Sequence, residues 1–494
     1  MFPDFSLLQL DASIFGKMSF VLIPLITACA ILLIEVFFPR EEKLFSALLS
    51  FWGLLLAFFA VTRWWNEPTE YLFQGGFVLD RFTLFFAGLF ILVAALTILI
   101  SVRYIKREGM HYGEYYFLTL ATISGMMLLA ASADLVMVFL AIEVMSIGAY
   151  ILTGINRERM RPTEGALKYF LLGAFASGIL LYGIALIYGA TGSTSFLAIK
   201  EFLAAGSSVN LLFWCGLVLI FVGFGFKIAA VPFHLWAPDA YEGAPTPITA
   251  FMATGVKAAA LAAFFRFMVH AVPSLTVDWV PILWWGAVIT MTVGNVAAMV
   301  QQNIKRMLAY SSVAHAGYLL TAFVALGGPA GTLAGEALLY YLLAYTVMTF
   351  CAFTVVILVA KQGDERVNVD DYTGLGRQHP VLAVVMTIAL LSLAGFPPTA
   401  GFFGKFYLFS AVVQSGFAGL AVIGVLNSVL SVYYYLRPVV NMYMKIEGAP
   451  EVSFEKSLTL GIALVVTTYG IFHIGIFSSP FLNIAKQTMA LFGG

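Results

Sequence analysis

The chain is 494 residues long, 61% hydrophobic and only 11% charged, with a mean hydropathy of +0.95. Soluble domains carry roughly 25% charged residues, so water is excluded as the main solvent and a lipid bilayer takes its place. Twenty-six basic residues balance twenty-six acidic ones, which leaves no net charge to draw nucleic acid or an acidic partner.

The N-terminus, MFPDFSLLQLDASIFGK, has two aspartates and no basic stretch ahead of its first apolar run. It does not read as a cleaved signal peptide, and the first span is expected to insert directly. A span needs about 20 predominantly apolar residues. Segments of that kind are 17–38, 44–62, 82–102, 113–132, 134–153, 163–189, 210–238, 246–268, 280–300, 304–326, 333–360, 380–415, 418–444 and 457–478. The expectation is an all-α integral membrane protein of about fourteen transmembrane helices, with residues 1–494 forming a single membrane domain. No soluble domain interrupts it. The longest polar loop on the basic side, KQGDERVNVDDYTGLGRQH (361–379), is expected to be solvated or to touch a neighbouring protein.

Loop charges alternate. One side receives Arg40, Lys43, Arg103, Lys106, Arg107, Arg157, Arg159, Arg161, Lys305, Arg306, Lys361, Arg366, Arg377, Lys445 and Lys456. The other has only Lys17, Arg63, Arg81, Lys200 and Lys486. By the positive-inside rule the basic side is cytoplasmic, or its organellar equivalent. Both termini then lie on the outer side, periplasmic for a cell inner membrane.

Two segments are too long for a simple crossing. At 1.5 Å per residue, 210–238 would make a helix of about 43 Å and 380–415 one of about 54 Å, against a hydrocarbon core about 30 Å thick. Pro232 interrupts the first and Pro397–Pro398 the second. Proline removes a backbone donor and clashes with the preceding turn, so helices 7 and 12 are expected to be discontinuous. They lie five spans apart, an odd number. This suggests two inverted five-helix repeats, spans 4–8 (113–268) and 9–13 (280–444), with helices 1–3 (1–102) before them and helix 14 (457–478) after. Broken helices in inverted repeats commonly mark an ion pathway.

Four ionisable residues lie deep in the spans: Glu143, Lys227, Lys257 and Lys405. A charge at mid-membrane costs at least about 2.5–3.5 kcal/mol, and such residues are usually functional. A purely structural ion pair is the bland alternative. Lysine suits proton relay because burial disfavours its ammonium form and a nearby carboxylate restores it; Glu143 is the expected partner of Lys227. Lys168, one turn inside its span, could equally snorkel to the interface. His234 and His315 could be structural or part of a relay. Arg266 and Arg437, near helix ends, are expected to snorkel, and Glu35 to sit at the interface. Cys29, Cys215 and Cys351 are far apart in apolar runs, so they are read as small buried apolar residues. No spacing suggests a metal or haem ligand set.

The stretches EGALKYFLLGAF (164–175), KIAAVPFHLWAPDAYEGAPTPITAFMATGVKAAA (227–260), NIKRMLAYSSVAHAGYLL (303–320) and LAGFPPTAGFFGKF (393–406) carry a further signal. They resemble the antiporter-like membrane subunits of respiratory complex I, the proton-pumping NADH:quinone oxidoreductase, and above all its subunit N branch. The resemblance covers nearly the whole chain. It matches Glu143 to the family's span-5 glutamate, Lys227 to its span-7 lysine, Lys257 to its span-8 lysine and Lys405 to its span-12 lysine. A lysine at 405 argues against the subunit M branch, and the short C-terminus against subunit L. The resemblance implies a non-redox translocase subunit with no cofactor of its own, with NAD, FMN, iron–sulfur clusters and quinone elsewhere in the complex. Its partners would be antiporter-like sisters, small membrane subunits and lipids. The alternatives are a subunit of an Mrp-type cation/proton antiporter, and a scaffold whose charges only hold helices together.

Overall fold

The computed structural model describes residues 12–37, 44–110, 113–156, 160–205, 209–361, 364–445 and 457–490. Arg40, Lys43, Arg157, Arg159 and Lys456, which contribute to the orientation argument, lie outside them, as does His111.

Every apolar segment coincides with a helix or a helix pair. In chain order these are α1 (Ser19–Glu35), α2 (Leu44–Trp64), α3 (Arg81–Arg107), α4 (Glu114–Ala131), α5 (Leu135–Thr153) and α6 (Met160–Thr191). The seventh is split into α7a (Leu211–Lys227) and α7b (Trp236–Gly243). There follow α8 (Thr246–His270), α9 (Thr276–Met299), α10 (Ile304–Leu326) and α11 (Gly331–Val359). The twelfth is split into α12a (Pro380–Ala394) and α12b (Ala400–Gln414), and α13 (Ala418–Met444) and α14 (Leu458–Ile476) complete the set. Among the described residues, eleven helices are long and apolar enough to cross a membrane unaided; α1, α7a and α12a are shorter apolar helices. A terminal helix, α15 (Ser478–Met489), follows. One element departs from all-α: β1 (Glu70–Leu72) pairs antiparallel with β2 (Phe77–Leu79), so the link between α2 and α3 satisfies backbone groups internally.

Helix starts follow local chemistry. Asp80, Asp134, Asn210 and Asn303 cap α3, α5, α7a and α10, each accepting backbone N–H bonds from the first turn. Burial then sorts the helices. The apolar stretch of α8 is wholly buried and those of α10 and α11 nearly so, whereas α6, α9, α13 and α14 turn apolar faces outward. A helix apolar all round belongs in the interior. Lys257 and His315 therefore sit at the centre of the molecule.

The two breaks are built alike. At the first, Ala229 adopts φ 59°, Ala230 N–H bonds Gly225 O at 2.8 Å, Ala229 N–H bonds Phe226 O at 3.1 Å, and the Val231–Pro232 bond is cis. At the second, Gly395 adopts φ 95°, Phe396 N–H bonds Leu391 O at 3.0 Å, Gly395 N–H bonds Ser392 O at 3.0 Å, and Pro397–Pro398 is cis. Each upstream half-helix thus closes with a left-handed residue and a Schellman-type pair of bonds. In both, the proline stands three positions later.

The polar loop after α11 corrects its expectation. It folds back onto the protein: Ile304 N–H bonds Val367 O at 2.6 Å, Val369 N–H bonds Gln302 O at 2.9 Å, and Tyr104 donates to Glu365 at 2.7 Å. Lys305, counted above with the loop charges, is fully buried beneath it. The cysteines need correction too. Only Cys351 is buried; Cys29 and Cys215 are exposed on outward faces.

Candidate functional site

Lys227 is the last residue of α7a, where the chain unwinds. Its Nζ donates to Ser146 Oγ at 2.7 Å and to Tyr150 OH at 3.0 Å, both on α5, and lies 5.3 Å from the Tyr150 ring centroid. The expected direct pair with Glu143 is not formed here. Glu143 stands one turn before Ser146 on the same helix, and its Oε1 is buried without a hydrogen-bond partner. Positions 143, 146 and 150 are spaced three and four apart, so they share one face of α5. The lysine faces a short ladder of a carboxylate and two hydroxyls.

Lys257 follows a π-helical turn, Met252–Val256, inside α8. Such turns admit one extra residue and occur frequently at functional sites. Its Nζ donates to the Ser312 carbonyl at 2.5 Å and to the Ser312 hydroxyl. His315, one turn further along α10, is buried with Tyr341 OH 2.7 Å from Nδ1 and Tyr435 OH 3.2 Å from Nε2; Tyr345 packs against its ring at 4.8 Å. Ser312 and His315 stand three residues apart on one face of α10, which puts the Lys257 group beside the imidazole.

Lys405 lies in the first turns of α12b and reaches back across the break. Its Nζ donates to Leu393 O at 3.1 Å, Ala394 O at 2.9 Å and Ser428 Oγ at 2.8 Å, and lies 5.0 Å from the Tyr318 ring centroid. The two carbonyls close α12a, where a helix presents unsatisfied acceptors and the negative end of its dipole. Tyr318 is in turn held by Asn295, whose Nδ2 donates to its hydroxyl at 3.0 Å. Among the described residues, none of Lys227, Lys257 and Lys405 has a carboxylate within ion-pair distance. Hydroxyls, carbonyls and rings hold all three.

The remaining candidates fall outside this row. Lys168 pairs with Glu164 at 2.8 Å and Asp239 at 3.1 Å, with 46% of its side chain exposed, in a surface cluster that includes Arg306 and Glu242. His234 sits on the unwound segment, 6.5 Å from the Tyr310 ring. Arg266 does not snorkel. It is buried and makes a two-pronged bond to Asp80 at 2.8 and 2.9 Å, with further bonds to Thr83 and Ala130 O. A planar guanidinium matches a carboxylate in this way, and the partner removes the need to reach water. Arg437 does not snorkel either; it donates to the carbonyls of Met299 and Gln301 at the end of α9. Glu35 is half-buried at the end of α1.

A family model described as NADH:quinone oxidoreductase/Mrp antiporter, TM, matches residues 132–431, from the start of α5 to α13. The chain is 49% identical to NADH-quinone oxidoreductase subunit N of Trichlorobacter lovleyi over 464 residues, 94% of each chain. It is 42% identical to subunit N 2 of Roseiflexus castenholzii over 469 residues, again 94% of each. The chain belongs to the subunit N family of NADH-quinone oxidoreductase. Among solved structures, it superposes on a chain of respiratory complex I from Thermus thermophilus with bound aureothin. The TM-score is 0.79 at 33% identity, covering 94% of this chain and 99% of that one. It also superposes on a chain of the Mrp complex from Dietzia sp. with a TM-score of 0.83 at 20% identity, covering 97% of each. That second likeness shows the fold alone. The family read from the motifs is the family found, and the chain is an antiporter-like, multi-span membrane subunit.

Proposed function

We propose that this chain moves protons through Glu143, Lys227, Lys257 and Lys405, driven by electron transfer from NADH to quinone in other subunits of the complex. The observation that carries the reading is the neutral setting of the three lysines. A lysine locked to a carboxylate stays charged, whereas one held by hydroxyls and carbonyls can gain or lose a proton at modest cost. His315 follows one turn after Ser312, which holds Lys257, and packs on Tyr318, over which Lys405 lies; an imidazole can accept a proton on one nitrogen while releasing one from the other. The ladder on α5 supports a switch at Lys227: beside Glu143 it holds its proton, and beside Ser146 and Tyr150 it releases it.

The energetic demand is small. Moving one proton across 100 mV costs about 2.3 kcal/mol, and one pKa unit corresponds to about 1.4 kcal/mol. Separating one buried lysine–carboxylate pair shifts a pKa by roughly 1–3 units, so moving one side chain suffices. On this reading the basic side faces the cytoplasm, the membrane is a cell inner membrane and both termini lie outside. The matching construction of the two breaks supports inverted repeats over 113–268 and 280–444. NAD, FMN, iron–sulfur clusters and quinone belong to neighbouring subunits, and sister antiporter-like subunits and lipids surround the chain. Lys168, His234 and His315 act as modulators, His315 most directly.

The Mrp-type reading rests on fold likeness alone and predicts purification without flavin or iron–sulfur proteins. The test of the main reading is Lys227→Ala in the assembled complex, reconstituted in vesicles. NADH-driven proton pumping and turnover are expected to fall; full pumping with normal assembly would remove the relay.

A further inference from the structure

The row needs a supply of protons, and one buried charge cluster lies outside it. Lys305, at the start of α10 on the basic side, is 0% exposed, and its Nζ pairs with Glu365 Oε2 at 3.0 Å. It also donates to Ala244 O at 2.7 Å, beside the start of α8. The Glu365 side chain is 21% exposed and accepts from Tyr104 OH through its other oxygen at 2.7 Å. One partly exposed side chain thus contacts a fully buried lysine. The loop bearing it is pinned on both sides of α10's start by the Ile304–Val367 and Val369–Gln302 backbone bonds.

The geometry continues inward. Lys305 and Ser312 are seven residues apart, two turns along one face of α10 and about 10 Å in rise. Ser312 is the residue that holds Lys257. Tyr241, itself buried, lies in α7b three residues before Ala244, whose carbonyl receives Lys305. Two turns of α10 therefore separate this partly exposed carboxylate–lysine pair from the central lysine.

We propose that Glu365 and Lys305 form the cytoplasmic proton-loading site of Lys257. This rests on the reading of the lysine row given above. A hydronium ion from the cytoplasmic side protonates the Glu365 carboxylate, leaving water, while Lys305 is an ammonium. Lys305 then passes a proton along α10, by way of the Ser312 hydroxyl, to the Lys257 amine, and the carboxylic acid returns a proton to Lys305. One proton has moved inward and the pair is as it began.

A purely structural pair would clamp the loop and nothing more, and the test must separate the two roles. Removing Glu365 alone leaves Lys305 buried without its partner, which is strongly destabilising, whereas replacing both partners with uncharged side chains of similar size often is not. The double variant Glu365→Gln/Lys305→Met in the full complex is therefore expected to assemble normally but to show several-fold slower NADH-driven pumping. Normal assembly with native pumping would overturn the proposal. A measurement on the unaltered complex removes any dependence on folding: a water-soluble carbodiimide applied from the cytoplasmic side, with modified peptides followed by mass spectrometry. Modification of Glu365 is expected to advance in step with loss of turnover. An unreactive Glu365, or one fully modified at native turnover, would overturn the assignment. Lys257→Ala examined in parallel separates the two readings. Native pumping there removes the row itself, whereas lost pumping there beside native pumping in the double variant removes only the loading site.

Discussion

Ser146 and Tyr150 give Lys227 a resting place one helical turn from Glu143. Each hydrogen bond between neutral groups contributes about 0.5–1.5 kcal/mol, and every 1.4 kcal/mol is tenfold in an equilibrium. Removing both hydroxyls strips Lys227 of its neutral partners and leaves Glu143 as the only group on that face able to hold it. The double variant Ser146→Ala/Tyr150→Phe is thus expected to trap the lysine in its charged position. Turnover of the assembled complex should fall about tenfold or more while the amount of complex stays native. Native turnover would mean that the hydroxyls are bystanders. These partners were hard to foresee. Ser146 also donates to Ile142 O on its own helix, as hydroxyls in apolar helices generally do, so nothing about the residue type marks it. The available signal was its spacing from Glu143.

At the scale of elements, helix positions were legible because a run of about 20 apolar residues reports the bilayer whatever packs against it. The breaks were legible because proline acts locally. The π turn before Lys257 was not, since MATGV carries no hydropathy or proline signal. Nor was the fate of Arg266. Its distance from a helix end was visible, but its partner Asp80 lies 186 residues away. That pair ties the cap of α3 to α8, the most deeply buried helix. Asp80→Ala leaves a buried guanidinium unpaired, which costs about 3–5 kcal/mol. The purified complex is expected to melt at lower temperature or to assemble poorly. Replacing both partners, Asp80→Leu/Arg266→Met, should restore most of the loss. If the double variant is as unstable as the single one, the pair does more than neutralise a buried charge.

At the scale of the molecule, Lys227 sits at the end of a half-helix, Lys257 within the buried α8 and Lys405 just past the second break. All three are placed by interrupted or widened helices, on three different segments of the chain. On the proposed relay a proton passes from one of these lysines to the next. That makes series and parallel conduction distinguishable. In a series, breaking one link already stops this chain's share of pumping, and breaking a second removes nothing more. Groups that act as a unit are strongly non-additive in this way, whereas distant independent sites add in free energy. Pumping by the rest of the complex sets a floor in either case. Lys227→Ala, Lys405→Ala and the double variant should therefore reach the same proton yield per NADH, measured in vesicles holding the whole complex. If each single variant loses part of the yield and the double loses both parts together, the lysines serve separate paths, and Tyr345 and His315 pack between two sites without connecting them.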